Sequence, residues 1–140
     1  MLSVGLSFKV VYIPGYTDDQ LAVWFPSTKV IHAADIFYGL LPNIYTIRGE
    51  PARDVKAWSN TARIIQSYNA EVLYPSHGHP LFGKDYIHNL IGKTADIMQY
   101  IHDQTVRLLG KGYTPDVVSR MIKLPQTYTS EIELGEVCDI

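Results

Sequence analysis

Apolar and polar positions near the start of the chain have the pattern of β-strands. Residues 6–13 are β-branched and aromatic with partial alternation, and they stop at Pro14-Gly15, which suits a strand that ends in a turn. Two further apolar runs, 21–25 and 29–33, are separated by a Pro-Ser-Thr sequence. The pattern predicts a strand followed by a hairpin.

The middle of the chain has the pattern of a helix followed by a strand. Between residues 54 and 68 apolar side chains recur every three or four positions, which gives one apolar helical face. The run 71–74 predicts a buried strand that leads into the loop Pro-Ser-His-Gly-His-Pro. The carboxyl ends of strands are where α/β proteins place their chemistry. Before this unit, residues 36–51 have no clear period and predict a long, partly ordered loop.

The last third of the chain is predicted to be helical. Residues 84–109 form the longest periodic stretch, and glycines at 110 and 112 end it. Thr114 then stands at a capping position, Pro115 at the first helical position and Asp116 in the first turn. This order predicts a short helix over 117–124. The tail after Pro125 has no clear period.

Composition and charge restrict the class of protein. The chain has 140 residues, of which 46% are hydrophobic and 19% charged, as in one ordinary globular domain. Its formal charge is −2 and its basic residues are scattered, so we expect no nucleic-acid partner. No apolar run approaches the roughly twenty residues of a membrane span. We therefore expect a soluble protein, which could be cytoplasmic, periplasmic or secreted.

Histidines and carboxylates are the candidate metal ligands, because the single cysteine, Cys138, has no partner for a thiolate cluster. His77 and His79 flank a glycine in the loop after the predicted strand 71–74, where both imidazoles could reach one metal ion. A histidine that caps a turn is the other interpretation.

Carboxylates after strands are further candidates. Asp35 follows the apolar run 29–33, where it could provide an oxygen ligand or cap the turn that follows. Asp18 and Asp19 follow the Pro-Gly turn and have the same two interpretations.

Asn43 and Arg48 form a candidate anion site. An amide beside a guanidinium can hold a tetrahedral oxyanion through charge-assisted hydrogen bonds, although Arg48 could instead pair with Glu50 or Asp54. The sequence has no Gly-rich phosphate loop and no G-x-S-x-G motif, so no catalytic nucleophile is identified.

The order of these features resembles the second half of a metallo-β-lactamase domain. More narrowly, several short segments between about Pro14 and Pro125 look like the alkyl sulfatases of the SDS-hydrolase type. These segments are Asn43-Ile-Tyr-Thr-Ile-Arg48-Gly49, Arg53-Asp54, Ala57-Trp58-Ser59, Tyr100-Ile-His-Asp-Gln-Thr105 and Gly112-Tyr-Thr-Pro115.

The resemblance implies an α/β (α+β) fold. Residues 1–83 would form the second half of an αββα sandwich, and residues 84–140 would begin the helical region through which the complete protein forms a homodimer. The family hydrolyses small-molecule alkyl sulfate esters at a binuclear zinc site.

The resemblance also implies roles for individual residues. Asp35 corresponds to a metal-bridging carboxylate, usually Glu in the family, and His77 to the last metal-binding histidine. His79 stands where the family usually has Trp. Asn43 and Arg48 correspond to the sulfate-binding pair.

Two departures from the family pattern affect the metal site. One residue is missing around Pro14-Gly15, so Asp18 is only the nearest carboxylate to a family Glu ligand. The first metal motif, H-x-H-x-D-H, is absent from the 140 residues. We therefore expect zinc-dependent hydrolysis of alkyl sulfates, with part of the active site in this chain. A thioesterase-like or lactonase-like hydrolase of the same fold, or an inactive interaction or dimerisation module, is the alternative.

Overall fold

The computed structural model describes residues 5–37, 44 and 53–129. Within these residues the elements follow one another as strands and helices with the bounds β1 (Lys9–Tyr12), β2 (Leu21–Phe25), β3 (Val30–His32), α1 (Val55–Ser67), β4 (Val72–Tyr74), β5 (Leu81–Phe82), α2 (Lys84–Gly110), α3 (Pro115–Met121) and α4 (Gln126–Thr129).

The strands form one mixed sheet in the order β1-β2-β3-β4-β5. All neighbouring pairs are antiparallel except β3 and β4, which are parallel. Strands β1, β3 and β4 therefore run in the same direction. Their carboxyl ends lie at one edge of the sheet, and the loops that follow them leave from that edge.

One face of the sheet packs against α1 and α2. Cross-strand register places Trp24 beside Ile31, and Ile31 beside Leu73, and all three are buried in one hydrophobic core. Helix α1 contributes Trp58 to this core, and α2 contributes Met98. The core thus joins the sheet to both long helices.

Most predicted elements are confirmed. The hairpin, the strand at 71–74 and the helices at 54–68 and 84–109 are all present with ends shifted by three residues or fewer. Helix α1 begins where the sequence indicates, because the Asp54 carboxylate accepts a hydrogen bond of 2.8 Å from the Ala57 amide.

Several details differ from the sequence prediction. Helix α3 occupies Pro115–Met121 rather than 117–124, and Thr114 is its N-cap residue without a side-chain capping bond. Strand β5 and helix α4 were not predicted, since two and four residues are too few to show a period. Of the predicted loop at 36–51, only residues 36, 37 and 44 belong to the described part.

Helix α2 packs along α1 and also contacts β4 and β5. The division of the chain at residue 84 stays a prediction. Among the helices in the described ranges, none has the length and hydropathy required to cross a bilayer.

Candidate functional site

Asp35 and His77 meet where the parallel strands β3 and β4 end. Backbone pairing continues past both strands, because the Ala33 amide donates to the Tyr74 carbonyl and the Ser76 amide to the Ala34 carbonyl, each at 2.9 Å. The two loops therefore leave the sheet side by side. His77 Nδ1 lies 2.5 Å from Asp35 Oδ1. Their convergence from separate strand ends, expected from the resemblance, is confirmed.

The contact joins a sheltered carboxylate to an exposed imidazole. The Asp35 side chain is 17% exposed and that of His77 is 70% exposed. A carboxylate only accepts hydrogen bonds, so the Nδ1–H of His77 donates in this pair. Imidazole nitrogen and carboxylate oxygen are both zinc ligands in proteins, so the pair provides two of the donor atoms that a zinc site uses.

The backbone around Asp35 is fixed by the core. Ala34 has a left-handed φ of 47°, and the Ile36 amide closes the turn by donating to the Ala33 carbonyl at 3.2 Å. Ile36 is fully buried, and its carbonyl accepts a hydrogen bond of 2.9 Å from Trp58 Nε1. Asp35 is therefore held between anchored neighbours.

Helix α1 also holds the loop after β1. Thr61 Oγ1 donates a hydrogen bond of 2.6 Å to the Pro14 carbonyl. Gly15 has a φ of 139°, and a Cβ there would lie 2.5 Å from Trp58 Cα, so only glycine allows this approach. Trp58 thus contacts both the loop that follows β1 and the loop that carries Asp35.

Asp18 lies in the loop after β1 and is exposed. Its backbone carbonyl accepts a hydrogen bond of 2.7 Å from the Tyr12 hydroxyl, and the neighbouring Asp19 carboxylate accepts one of 2.7 Å from Thr17. Within the described ranges, no three His, Cys, Asp or Glu side chains are grouped so that they could hold a metal ion. Asp18 is therefore not assembled with the Asp35–His77 pair, and its role as a ligand stays a prediction.

A cleft of about 650 Å³ adjoins the loop after β1, and its walls include Tyr16, Asp18 and Arg53. The guanidinium carbon of Arg53 lies 3.7 Å from the centroid of the Tyr16 ring, a cation–π distance. The Tyr16 ring meets Trp58 edge-on with 5.5 Å between centroids. The sequence pattern indicates no functional role for Tyr16, Arg53 or Trp58, although Arg53 and Trp58 belong to segments that resemble the alkyl sulfatases.

The remaining candidates are separate from this pair or outside the described residues. Asn43, Arg48 and Cys138 lie outside the residues that the structure describes. His79 is exposed, and the close partner of His77 is Asp35.

A second polar group lies between α1 and α2. Asp103 accepts a hydrogen bond of 2.6 Å from Gln99 and lies 2.9 Å from His102 Nδ1. Both hydrogen bonds hold the pKa of the Asp103 carboxyl below its ordinary value, and the one from Gln99 has the larger effect. Lys56 on α1 donates a hydrogen bond to the side-chain oxygen of Gln99 on α2. These polar side chains therefore link the two helices.

Comparison with known proteins decides the family. No family model matches the chain. It is 34% identical over 122 residues to the linear primary-alkylsulfatase of Pseudomonas sp. (strain ATCC 19151), covering 86% of this chain and 23% of that protein. The chain is a homologue of the alkylsulfatases. This confirms the resemblance found in the sequence.

Another alkylsulfatase relative is the alkyl/aryl-sulfatase BDS1 of Saccharomyces cerevisiae (strain ATCC 204508 / S288c). It is 29% identical over 131 residues, covering 91% of this chain and 20% of that protein. The chain thus spans less than a quarter of the length of the alkylsulfatases that it matches.

Solved structures confirm the predicted fold. The stereoselective inverting sec-alkylsulfatase Pisa1 from Pseudomonas sp. superposes with a TM-score of 0.87 at 24% identity, covering 94% of this chain and 22% of that one. A metallo-β-lactamase from Pontibacter korlensis superposes with a TM-score of 0.50 at 21% identity, covering 71% of this chain and 44% of that one. The alkylsulfatase homologue therefore has part of a metallo-β-lactamase fold.

Proposed function

We propose that the chain provides part of the active site of a zinc-dependent alkylsulfatase, which hydrolyses alkyl sulfate esters. One observation carries the proposal. Asp35 and His77 are in contact at 2.5 Å at the carboxyl ends of parallel strands, in a chain that is 34% identical to a linear primary-alkylsulfatase.

The Asp35–His77 pair provides donor atoms of the types that bind zinc in proteins. Asp35 and His77 would hold the metal through one carboxylate oxygen and one imidazole nitrogen, with Asp18 as a candidate third ligand. A catalytic zinc site takes about three protein ligands, so the binuclear site that we propose needs further ligands from outside the described residues. Bound zinc would supply a hydroxide at neutral pH by lowering the pKa of its water toward about 7.

The chain's own residues would position the groups that react. The Trp58 hydrogen bond to the Ile36 carbonyl restricts the backbone next to Asp35, so the carboxylate is oriented before any ligand binds. We propose that Asn43 and Arg48 hold the sulfate group and stabilise the negative charge that develops on it as the ester bond breaks.

The proposal extends to the complete protein. It would act on small-molecule alkyl sulfates and form a homodimer through the helical region that begins at residue 84. A thioesterase or lactonase of the same fold is less well supported, because the curated relatives named above are sulfatases.

The test is a chimera in which this chain replaces the matching segment of the Pseudomonas alkylsulfatase. Zinc content and sulfate release are measured with an alkyl sulfate at a concentration that leaves the protein folded. Replacing Arg48→Ala should lower kcat/KM for the sulfate ester about 100-fold or more and leave zinc content unchanged.

Arg120→Ala is the matched control, because Arg120 is exposed at the end of α3, and it should leave both quantities unchanged. Equal hydrolysis by the Arg48→Ala variant and the parent chimera would refute the sulfate-binding role. A folded chimera that binds no zinc would refute the metal site.

A further inference from the structure

The loop after β1 is closed by hydrogen bonds at both ends. At its base the Ile13 amide donates to the Gln20 carbonyl at 2.9 Å. Further along, the Asp18 carbonyl accepts a hydrogen bond of 2.7 Å from the Tyr12 hydroxyl. Between these points lies Tyr16, which is half-buried and packs against the core. Tyr16 therefore links the loop to the body of the fold, two residues before the candidate ligand Asp18.

Arg53 covers the ring of Tyr16. The guanidinium carbon of Arg53 lies 3.7 Å from the centroid of the Tyr16 ring and 5.9 Å from that of the Trp58 ring. Both distances fall within the roughly 6 Å of a cation–π interaction, and a planar guanidinium stacks well on an aromatic face. The edge-on contact with Trp58 completes the arrangement. The Tyr16 ring is thus held by a cation and by an indole.

Arg53 comes from a different part of the chain than the loop that it contacts. It directly precedes Asp54, the N-cap residue of α1, so its backbone is held at the start of that helix. In the sequence it follows Arg48 by five positions. The contact with Tyr16 therefore joins the loop of Asp18 to the point where the chain that carries Arg48 enters α1.

Arg53 and Asp18 line the same cleft of about 650 Å³. The loop after β1 leaves the sheet from the edge at which Asp35 and His77 meet, so a shift of Tyr16 would move Asp18 relative to that pair. Productive sites hold their groups to within about 0.5 Å, and a misplacement of about 1 Å can cost about 100-fold in rate. The stack of Arg53 on Tyr16 is therefore placed to affect turnover.

We propose that Arg53 is a positioning residue of the alkylsulfatase site. By stacking on Tyr16 it fixes the loop after β1, and with it Asp18, relative to the start of α1. The inference rests on the proposed function, because it gives the stack a role in that reaction. It assigns Arg53 no contact with zinc or with the sulfate ester. Loss of Arg53 therefore affects turnover only through the movement of Tyr16.

The test uses the zinc-loaded chimera in which this chain replaces the matching segment of the Pseudomonas alkylsulfatase. Hydrolysis of an alkyl sulfate gives kcat and KM separately, and zinc content is measured for each variant so that rates refer to one site. Arg53→Ala should lower kcat about tenfold and change KM by less than about twofold. Arg53→Lys keeps a cation beside the ring, so kcat should return to within about threefold of the parent value.

A double variant separates this role from direct contact with the ester. Tyr16→Leu removes the ring on which Arg53 stacks and should lower kcat about as much as Arg53→Ala. Both changes break the same contact, so the double variant should be at most about threefold slower than either single one, whereas independent effects would multiply to about 100-fold. Multiplied effects, or a rise in KM in place of the fall in kcat, would overturn the proposal.

Arg63→Ala is the matched control. Arg63 lies on α1 and pairs with Asp96 at 2.5 Å, so this change also removes an arginine contact, but one about 12 Å along the helix from its start. It should leave kcat and KM at the parent values. An active parent chimera with unchanged kinetics in Arg53→Ala would overturn this inference alone. A folded parent chimera that releases no sulfate would overturn the proposed function as well.

NMR of the parent chimera with ¹³C-labelled arginine tests the stack without any variant. Protons that lie over an aromatic face resonate upfield, so the side-chain signals of Arg53 should lie upfield of those of Arg63. Tyr16→Leu should remove this shift. Signals of Arg53 at the ordinary position in the parent chimera would overturn the proposal, including the case in which Arg53→Ala does not fold.

Discussion

Trp58 donates its indole N–H to the carbonyl of Ile36 at 2.9 Å, and both residues are fully buried. Ile36 directly follows Asp35, so this bond connects the first turns of α1 to the candidate metal site. The backbone of Trp58 also packs against Gly15, in the loop after β1. Trp58 thus positions the loops that follow β1 and β3, two of the three loops at this edge of the sheet.

Replacing Trp58→Phe should destabilise the fold and loosen the Asp35 loop. The change leaves the buried Ile36 carbonyl without its partner, which costs about 1–3 kcal/mol in the free energy of unfolding. Urea denaturation measures the loss, and hydrogen exchange of the Ile36 amide should become faster. The control Trp24→Phe trims another buried indole that packs on Tyr68, and it should leave the exchange of Ile36 unchanged.

Gly15→Ala should destabilise the chain, whereas Gly110→Ala should not. A Cβ at Gly15 would lie 2.5 Å from the Trp58 backbone, while a Cβ at Gly110 would meet nothing within 4 Å. Overpacking costs about 1–3 kcal/mol, and alanine in a helix gains up to about 1 kcal/mol over glycine. Thermal or urea unfolding of both variants checks the contrast, and equal effects would contradict the close packing.

Asp54→Ala should cost about 1 kcal/mol in unfolding free energy, because it removes the capping hydrogen bond to the Ala57 amide. Thr114→Ala should cost less, since Thr114 is an N-cap residue without a side-chain bond. Denaturation curves of the two variants give the comparison. A larger loss at Thr114 would contradict the observed caps.

The carboxyl of Asp103 should titrate below its ordinary pKa of 3.8, with the hydrogen bond from Gln99 as the largest cause. A depressed pKa in the folded state stabilises the protein above pH 3.8, and this contribution is lost as the pH falls through the folded value. Gln99→Met should raise the pKa, as followed by carbon NMR of the carboxyl. Gln104 accepts a hydrogen bond from Arg107 instead, so the control Gln104→Met should leave the pKa of Asp103 unchanged.

Sequence pattern predicted the long elements because their periods repeat several times. Helix α2 has 27 residues and α1 has 13, which is enough to display one apolar face. Strand β5 has two residues, and its existence depends on pairing with β4, which no local pattern reveals. Local sequence therefore specifies the long helices better than the sheet edges.

The candidate site could be predicted only in part for a related reason. The two histidines of the loop after β4 are neighbours in sequence, so residue types alone favoured His77 with His79. Asp35 is 42 positions from His77, and it comes close because β3 and β4 pair in parallel. That pairing is a property of the whole sheet, and only the family resemblance pointed to it.

Zinc binding by the Asp35–His77 pair is the central claim, and a titration of the metal-free chimera with Zn²⁺ tests it most directly. Calorimetry gives the affinity, and nitrogen NMR of the histidine side chains identifies the ring that binds. The claim predicts that His77→Ala and Asp35→Ala each weaken zinc binding about tenfold or more, while His79→Ala has no effect. Unchanged affinity in the Asp35→Ala variant, or equal loss in His79→Ala, would contradict it.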